Sequence, residues 1–383
     1  MGFNQRRGSM RVVALGTLAI LLIAGVLAGC GGSDDSSTSA SSGGGETGSE
    51  KSDGGKLGLL LALTGIPFST YTTQGSEDAA DEVGAELTVA GPPTINPTEA
   101  IKQFEDMIAT GPDGVTVFPI PAELWVPPFS RAAAKGVKLD AIHVPPVEGS
   151  EVPLYVGMRE KEAAEKLAQV FVDELGPDAS GEIILGIGPA GEPVNENRIL
   201  GYEAVFSSEL PDVKVVGPLT TGNEPVENLN NWSQIFQRYP DALAYVGTTD
   251  QDCGSLAKLK AKEGGSTLVG AFDPSVENGC LPGIESGDVL AAVEQQPYIR
   301  GYIATRVLGE AVSEDVDVPE GWIDTGIQVV TEANAAELTK TLSSIEATRA
   351  YYKPTIEEIF ADGLDGLPLK PLADVALDPI DEG

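Results

Sequence analysis

The sequence of 383 residues predicts an α/β protein of two lobes, each a parallel sheet flanked by helices. Three observations carry that expectation. From Lys56 onward, short β-branched or leucine-rich runs alternate with longer segments of helical period, the pattern of strands paired in parallel through helical crossovers. The alternation is played through twice, a second set beginning after Tyr155 and Val156. The folded body, roughly 325 residues, also exceeds what one hydrophobic core serves.

In the first set, residues 57–63, 87–89, 114–118 and 137–142 read as strands, and residues 74–84, 97–109 and 124–135 as helices. In the second, helix 160–175 places Ala164, Leu167, Ala168, Phe171 and Leu175 on one face. Strand 182–187, helix 194–209, strand 213–216, helix 225–238, strand 242–246, helix 253–263, strand 267–271, helix 274–285 and strand 289–293 follow. No Gly- or Ser-rich linker divides the two sets, so the join near residues 157–160 is expected to be a strand-like crossover suited to a hinge. A helix at 301–312 and a strand-like run at 322–330 come next. Residues 336–383 are acidic and proline-rich and fit neither sheet; they are expected to wrap the body or to stay partly unordered.

At the N-terminus, Arg6, Arg7 and Arg11 lead into an apolar run over residues 12–28, short for a membrane span, and Leu27-Ala28-Gly29 precedes Cys30. The pattern resembles the signal of bacterial lipoproteins. It implies a signal peptide over residues 1–29, a lipidated Cys30 as first residue of the mature chain, and a body on the extracytoplasmic face. Acyl chains contribute about 0.8 kcal/mol per buried methylene, so the membrane is engaged through the lipid alone. An uncleaved anchor helix would give the same topology. Residues 30–55 are almost entirely Gly, Ser, Thr, Asp and Glu, the composition of a disordered tether.

The chain sets 58 acidic against 24 basic side chains, a net charge of −34. Without a clustered basic stripe, that balance excludes nucleic acid as a partner. It would also repel an anionic lipid surface. With Cys30 set aside, Cys253 and Cys280 remain in an oxidising compartment. They either form a disulfide, worth about 3 to 4 kcal/mol on the chain-entropy model, or sit as two buried thiols. No metal or other cofactor is expected, since His143 is the sole histidine and no Cys-x-x-Cys occurs.

Several short motifs then fall at strand ends. Pro67-Phe68 follows the first strand, with Gly75 eight residues beyond the proline, and Asp113-Gly114-Val115 opens an apolar strand ending at Pro119. The second set supplies Arg198-x-x-Gly201-Tyr202, Tyr239-Pro240-Asp241, Thr249-Asp250, Gly270-x-Phe272-Asp273 and Gln295-Gln296-Pro297 with Gly301 after it. In this order and spacing the chain resembles, over about residues 56–335, the ribose-type substrate-binding proteins (periplasmic binding protein type 1) that serve ABC importers. The resemblance implies two Rossmann-like lobes joined by a three-strand hinge near residues 158, 297 and 324. The N-terminal lobe would be 56–158 plus 297–324, the C-terminal lobe 159–296 plus 325–335, and 336–383 an extension of unknown role. It further implies a monomer that closes on a small polar ligand, a sugar or polyol first, and delivers it to ABC permease subunits.

Carried over residue by residue, Phe68 becomes an apolar platform for a ring face. Arg198 offers a forked donor to vicinal hydroxyls, and Asp273 accepts charge-assisted bonds. Gln295 can donate and accept, and Asp250 orients Arg198 or caps the helix that follows. His143 donates to the ligand or sits satisfied in the wall. Packing alternatives stand beside these roles: Phe68 in the core, Arg198 in a surface ion pair, and Asp273 as the N-cap of a helix after Pro274. The chain also departs from the pentose binders of the family: Ile66 replaces an asparagine, Ser69 an aromatic, His143-Val144 an Asp-Arg pair, and Thr249 a ligand-binding asparagine. The first lobe thereby loses most of its polar groups. Tyr71, Glu123 and Trp125 are candidates to compensate.

Two rival readings remain. Gly186-x-Gly188-x-x-Gly191, with Glu209 and Asp212 further on, formally meets the dinucleotide fingerprint of an NAD-dependent oxidoreductase. Pro189 and Pro193 count against it, because proline removes backbone donors a pyrophosphate needs. There is no Gly-x-Ser-x-Gly elbow and no Walker loop. His143 and Asp140, three apart on a strand, would point to opposite faces rather than form an acid–base pair, so no enzyme is expected. A sensor that presents its ligand to a receptor would share the fold and differ in its readout.

Overall fold

The computed structural model of the protein describes residues 54–377. The expected signal peptide, Cys30 and the expected tether as far as residue 53 lie outside the described residues. Along the chain come β1 (Lys56–Leu60), α1 (Pro67–Val83), β2 (Glu86–Ala90), α2 (Pro97–Ala109), β3 (Gly114–Val117), α3 (Val126–Ala133), β4 (Lys138–Ile142) and β5 (Leu154–Gly157). They are followed by α4 (Glu160–Leu175), β6 (Gly181–Ile187), α5 (Pro193–Glu209), β7 (Val213–Thr220), α6 (Pro225–Arg238), β8 (Ala244–Val246), α7 (Asp250–Glu263), β9 (Leu268–Phe272), α8 (Cys280–Glu285) and β10 (Ala291–Glu294). The last elements are α9 (Pro297–Ser313), β11 (Gly321–Asp324), β12 (Gln328–Thr331), α10 (Ala335–Thr341), α11 (Ile345–Ile359) and β13 (Leu369–Lys370).

These strands form two sheets, ordered β13-β11-β5-β4-β3-β1-β2 and β12-β10-β9-β8-β6-β7. Pairing is parallel except at one edge of each, where β13 runs antiparallel to β11 and β12 to β10. The inner strands β3, β5 and β10 are buried at every residue, which is why they read as unbroken apolar runs. Helices on both faces close the cores. In α2, Asn96 caps the first turn through the backbone N–H of Glu99 (3.1 Å), and Ala100, Phe104, Met107 and Ile108 form the buried face.

The chain passes between the sheets after β5, between β10 and α9, and between β11 and β12. The single strand expected over 322–330 is therefore two strands in different sheets. The C-terminal extension adds a fourth passage: α10 contributes Ala335 and Leu338 to a core of the second lobe, and α11 contributes Tyr352 and Ile356 to that of the first. Phe360, Leu364 and Leu367 join the same first-lobe core. As far as residue 377 the extension is thus packed on the body, its apolar residues spaced too irregularly to announce an element in sequence.

Two helices differ most in extent from the reading by period. Helix α1 starts at Pro67, seven residues before the expected position, because Pro67 presets the first turn and the hydroxyls that obscured the period are absorbed by carbonyls. Ser69 donates to Leu63 O (2.7 Å) and Thr72 to Phe68 O (3.0 Å). Helix α8 contracts to Cys280–Glu285, since Asn278 holds the preceding residues in a turn, accepting from Ser275 N (3.1 Å) and Cys280 N (2.9 Å). Cys253 and Cys280 are joined by a disulfide that ties α7 to α8, with Cα atoms 5.4 Å apart. Helices α1 and α9 touch backbone to backbone, where any side chain at Gly75 would meet Tyr298 O and any at Gly301 would meet Thr72 O. Among the described residues no helix is long and apolar enough to cross a membrane.

Candidate functional site

The carboxyl ends of the two sheets bound a cavity of about 90 Å³, where ligands bind in open α/β folds. The loops after β1, β2, β3 and β4 bring Leu63, Ile66, Phe68, Ile95, Phe118, Ile120, His143 and Val144 to one wall. The loops after β6 to β10 bring Glu192, Asn195, Arg198, Asn223, Thr249, Asp250, Asp273 and Gln295 to the other. Three non-glycine residues at these strand ends hold a left-handed backbone, His143 (φ 63°), Asp273 (φ 54°) and Gln296 (φ 57°). Such strain clusters at sites the surrounding structure over-determines.

Asp273 and Gln295 are bonded to each other. The carboxylate accepts from the Gln295 backbone N–H (3.4 Å) and, closely, from its amide Nε2. Gln295 Oε1 accepts from Arg300 Nη1 (3.3 Å). Burial pushes the Asp273 pKa up to about 6, with Arg198, Gln295 and Arg300 restraining the rise. Asp273 is not an N-cap, as α8 begins seven residues later.

Arg198 is buried, and its pairing is internal to the second lobe. Its Nε and Nη2 donate to Glu160 Oε2 (2.8 and 2.6 Å), its Nη1 donates to Thr248 O (2.6 Å), and its Cζ lies 3.9 Å from the Phe272 ring centroid. The fork expected for vicinal hydroxyls is engaged by Glu160, leaving two of five N–H groups for the cavity.

His143 is engaged at both nitrogens, so of its two expected roles the geometry favours a ring satisfied in the wall over a donor to ligand. Arg300 Nη1 lies 2.9 Å from Nδ1; a guanidinium only donates, so Nδ1 accepts and the proton sits on Nε2. Nε2 meets Thr72 Oγ1 at 3.3 Å, and that hydroxyl donates onward to Phe68 O. Burial, then Arg300 and Arg198, holds the imidazole well below its ordinary pKa. Its ring packs between Phe68 and Phe118, centroids 4.2 and 4.9 Å away. Phe68 belongs to both readings made of it, lining the cavity and joining the first-lobe core.

Thr249 and Asp250 also differ from expectation. Thr249 is the N-cap of α7, its Oγ1 accepting from Asp252 N (3.2 Å) while Asp252 accepts from Thr248 N and Thr249 N (2.9 and 3.0 Å). Asp250 neither caps nor touches Arg198: its carboxylate accepts from Gln251 Nε2 (3.2 Å) and faces the cavity. Burial, then Asp273, raises its pKa to about 7. Tyr71 lies beside the cavity rather than in it, in a small recess shared with Asp250, Asp273 and Glu294. Trp125 is fully buried between Phe104 and Phe129, in the core beneath α2 and α3. A ring at a helix start serves packing as readily as a cleft. Glu123 is exposed and outside the cavity lining.

The glycine loop after β6 enters the cavity but does not suit a dinucleotide. Glu192 caps α5 with its own carboxyl group, accepting from Val194 N (3.3 Å) and Asn195 N (2.9 Å), so its oxygens already occupy the place a pyrophosphate needs. Sequence reasoning missed Glu192, Asn195, Asn223, Glu160 and Arg300. The acid at the helix cap was the available signal; the others depend on partners distant in the chain.

The periplasmic binding protein domain family matches residues 57–315, and the chain belongs to it. A xylitol-binding protein of Mycolicibacterium smegmatis is 28% identical over 241 residues, 60% of this chain and 65% of that protein, so the match spans just under two-thirds of the relative. An ABC transporter solute-binding protein of Mycobacterium smegmatis, solved with bound glycerol, superposes with a TM-score of 0.66 at 25% identity, over 74% of this chain and 96% of that one. A carbohydrate transporter solute-binding protein of Agrobacterium radiobacter, solved with D-arabinose, gives 0.69 at 18% identity over 76% and 99%, a likeness of fold.

Proposed function

We propose that the protein captures a small sugar or polyol outside the cell, held to the membrane through a lipidated Cys30, and passes it unaltered to the permease subunits of an ABC importer. The observation that carries this reading is the cavity between the carboxyl ends of two sheets, with the polar side chains of Asp273 and Gln295 in its lining. The kinship with a xylitol-binding protein supports the ligand class. Ligand seated on the second lobe would draw the first lobe onto it, and only contacts made in the closed form shift that equilibrium. The closed pair of lobes is then what a permease reads.

The test is a thermal-shift and calorimetric screen of the purified full chain against sugars, polyols, amino acids and nucleosides. A sugar or polyol at 100 times its Kd should add about 2.7 kcal/mol of stability. Stabilisation by amino acids or nucleosides alone, or chemical turnover of the bound compound, would overturn the reading.

A further inference from the structure

The two walls of the cavity differ in kind. Leu63, Ile66, Ile95, Phe118, Ile120 and Val144 make up most of the first-lobe wall. Its one polar ring, His143, has Nδ1 engaged by Arg300 and Nε2 by Thr72. Three carbonyls of residues on that wall also accept from side chains: Ser69 donates to Leu63 O, Thr72 to Phe68 O and Tyr155 to His143 O (3.2 Å). The opposite wall, Pro189 and Val194 apart, has the reverse character. There Asp250 and Asp273 face the cavity, and the amide of Asn195, a residue 6% exposed, has no side-chain partner among the described residues.

Building on the sugar or polyol reading, we propose that the ligand is deoxygenated or alkylated along one edge: a deoxy or C-methyl sugar or polyol whose hydrocarbon side faces the first lobe and whose hydroxyls face the second. A hydroxyl buried without a partner is disfavoured, whereas a methyl group in the same place gains from burial. A hydroxyl turned toward Ile66 and Ile120 therefore weakens binding relative to hydrogen or methyl. The walls thus select by what they refuse as well as by what they bind.

Calorimetry on the full chain with matched pairs tests this: L-galactose against L-fucose, L-mannose against L-rhamnose, and erythritol against 2-C-methylerythritol. The deoxy or methyl member of the pair that binds should be favoured by about tenfold or more. Ile66→Asn places an amide on the apolar wall at a helix N-cap, a position asparagine favours, and should shrink or invert that preference while the protein stays folded. Equal or tighter binding of the fully hydroxylated members would overturn the proposal and leave the sugar or polyol reading standing. Binding of none of these compounds or their carbohydrate relatives, with binding of another solute class, would overturn both.

Discussion

Arg300 donates to Nδ1 of His143 across 2.9 Å, and that one bond fixes the tautomer, the neutrality and the orientation of the protein's sole histidine. It also closes a chain of contacts, Asp273–Gln295–Arg300–His143–Thr72, that runs from the second lobe through a hinge passage into the first. Polar groups at the hinge are thereby held by one another, and the ligand meets a preformed wall.

A histidine kept neutral when folded but free to charge when unfolded has a depressed folded-state pKa. Its contribution to stability is complete above the unfolded value of 6.5 and falls as pH drops below it. Nitrogen NMR of the folded protein should show the Nε2–H tautomer unchanged from pH 8 to pH 5. An imidazolium signal appearing near pH 6.5 would contradict the Arg300 bond.

Asp140 works in the opposite sense. It is fully buried opposite Thr116 in the β3–β4 ladder, and burial raises its pKa to about 8, with the neighbouring Thr116 side chain moderating the rise. Its folded-state value lies above its unfolded value of 3.8, so the stability from the neutral acid is fully present below pH 4 and is lost as pH rises toward 8. Asp140→Asn should therefore gain on the parent protein steadily between pH 5 and pH 8 in urea denaturation. A stability difference independent of pH would show that Asp140 is already ionised at pH 5.

Asp273→Asn should weaken ligand binding by about 100-fold, the effect of losing a charge-assisted hydrogen bond. Its melting temperature should move little, because the side chain faces the cavity and Gln295 retains a polar partner. Calorimetric titration and scanning calorimetry separate the two effects; a large fall in melting temperature with unchanged affinity would make Asp273 a structural residue only.

The fold was legible because parallel strands buried on both faces, such as residues 114–117 and 154–157, leave unmistakable apolar runs. The site was legible in part. Asp273 and Gln295 lie in motifs at strand ends and bond to each other on one wall of the cavity. Arg198 was found but its partner was not: Glu160 lies 38 residues away, and pairing of buried charges leaves no local trace. Trp125 shows the converse, a conspicuous residue whose burial against Phe104 no spacing rule announces. The helices of the extension stayed hidden because Tyr352, Ile356 and Phe360 make a face only four residues apart, interrupted by Pro354.

That extension yields the last prediction. Tyr352 stacks on Tyr298 with centroids 5.4 Å apart, Arg306 lies over the Phe360 ring at 4.0 Å, and Arg349 and Tyr298 share the carboxylate of Asp78 on α1. The segment therefore covers the outer face of α9, the helix that begins at the hinge. Phe360→Ala should destabilise the protein by about 3 to 5 kcal/mol, the usual effect of emptying an aromatic core position. Because Phe360 stands away from the cavity, ligand affinity measured well below the melting temperature should change less than threefold. A loss of affinity without loss of stability would mean that the extension governs closure through the fourth passage between the lobes, rather than serving as cover for the first.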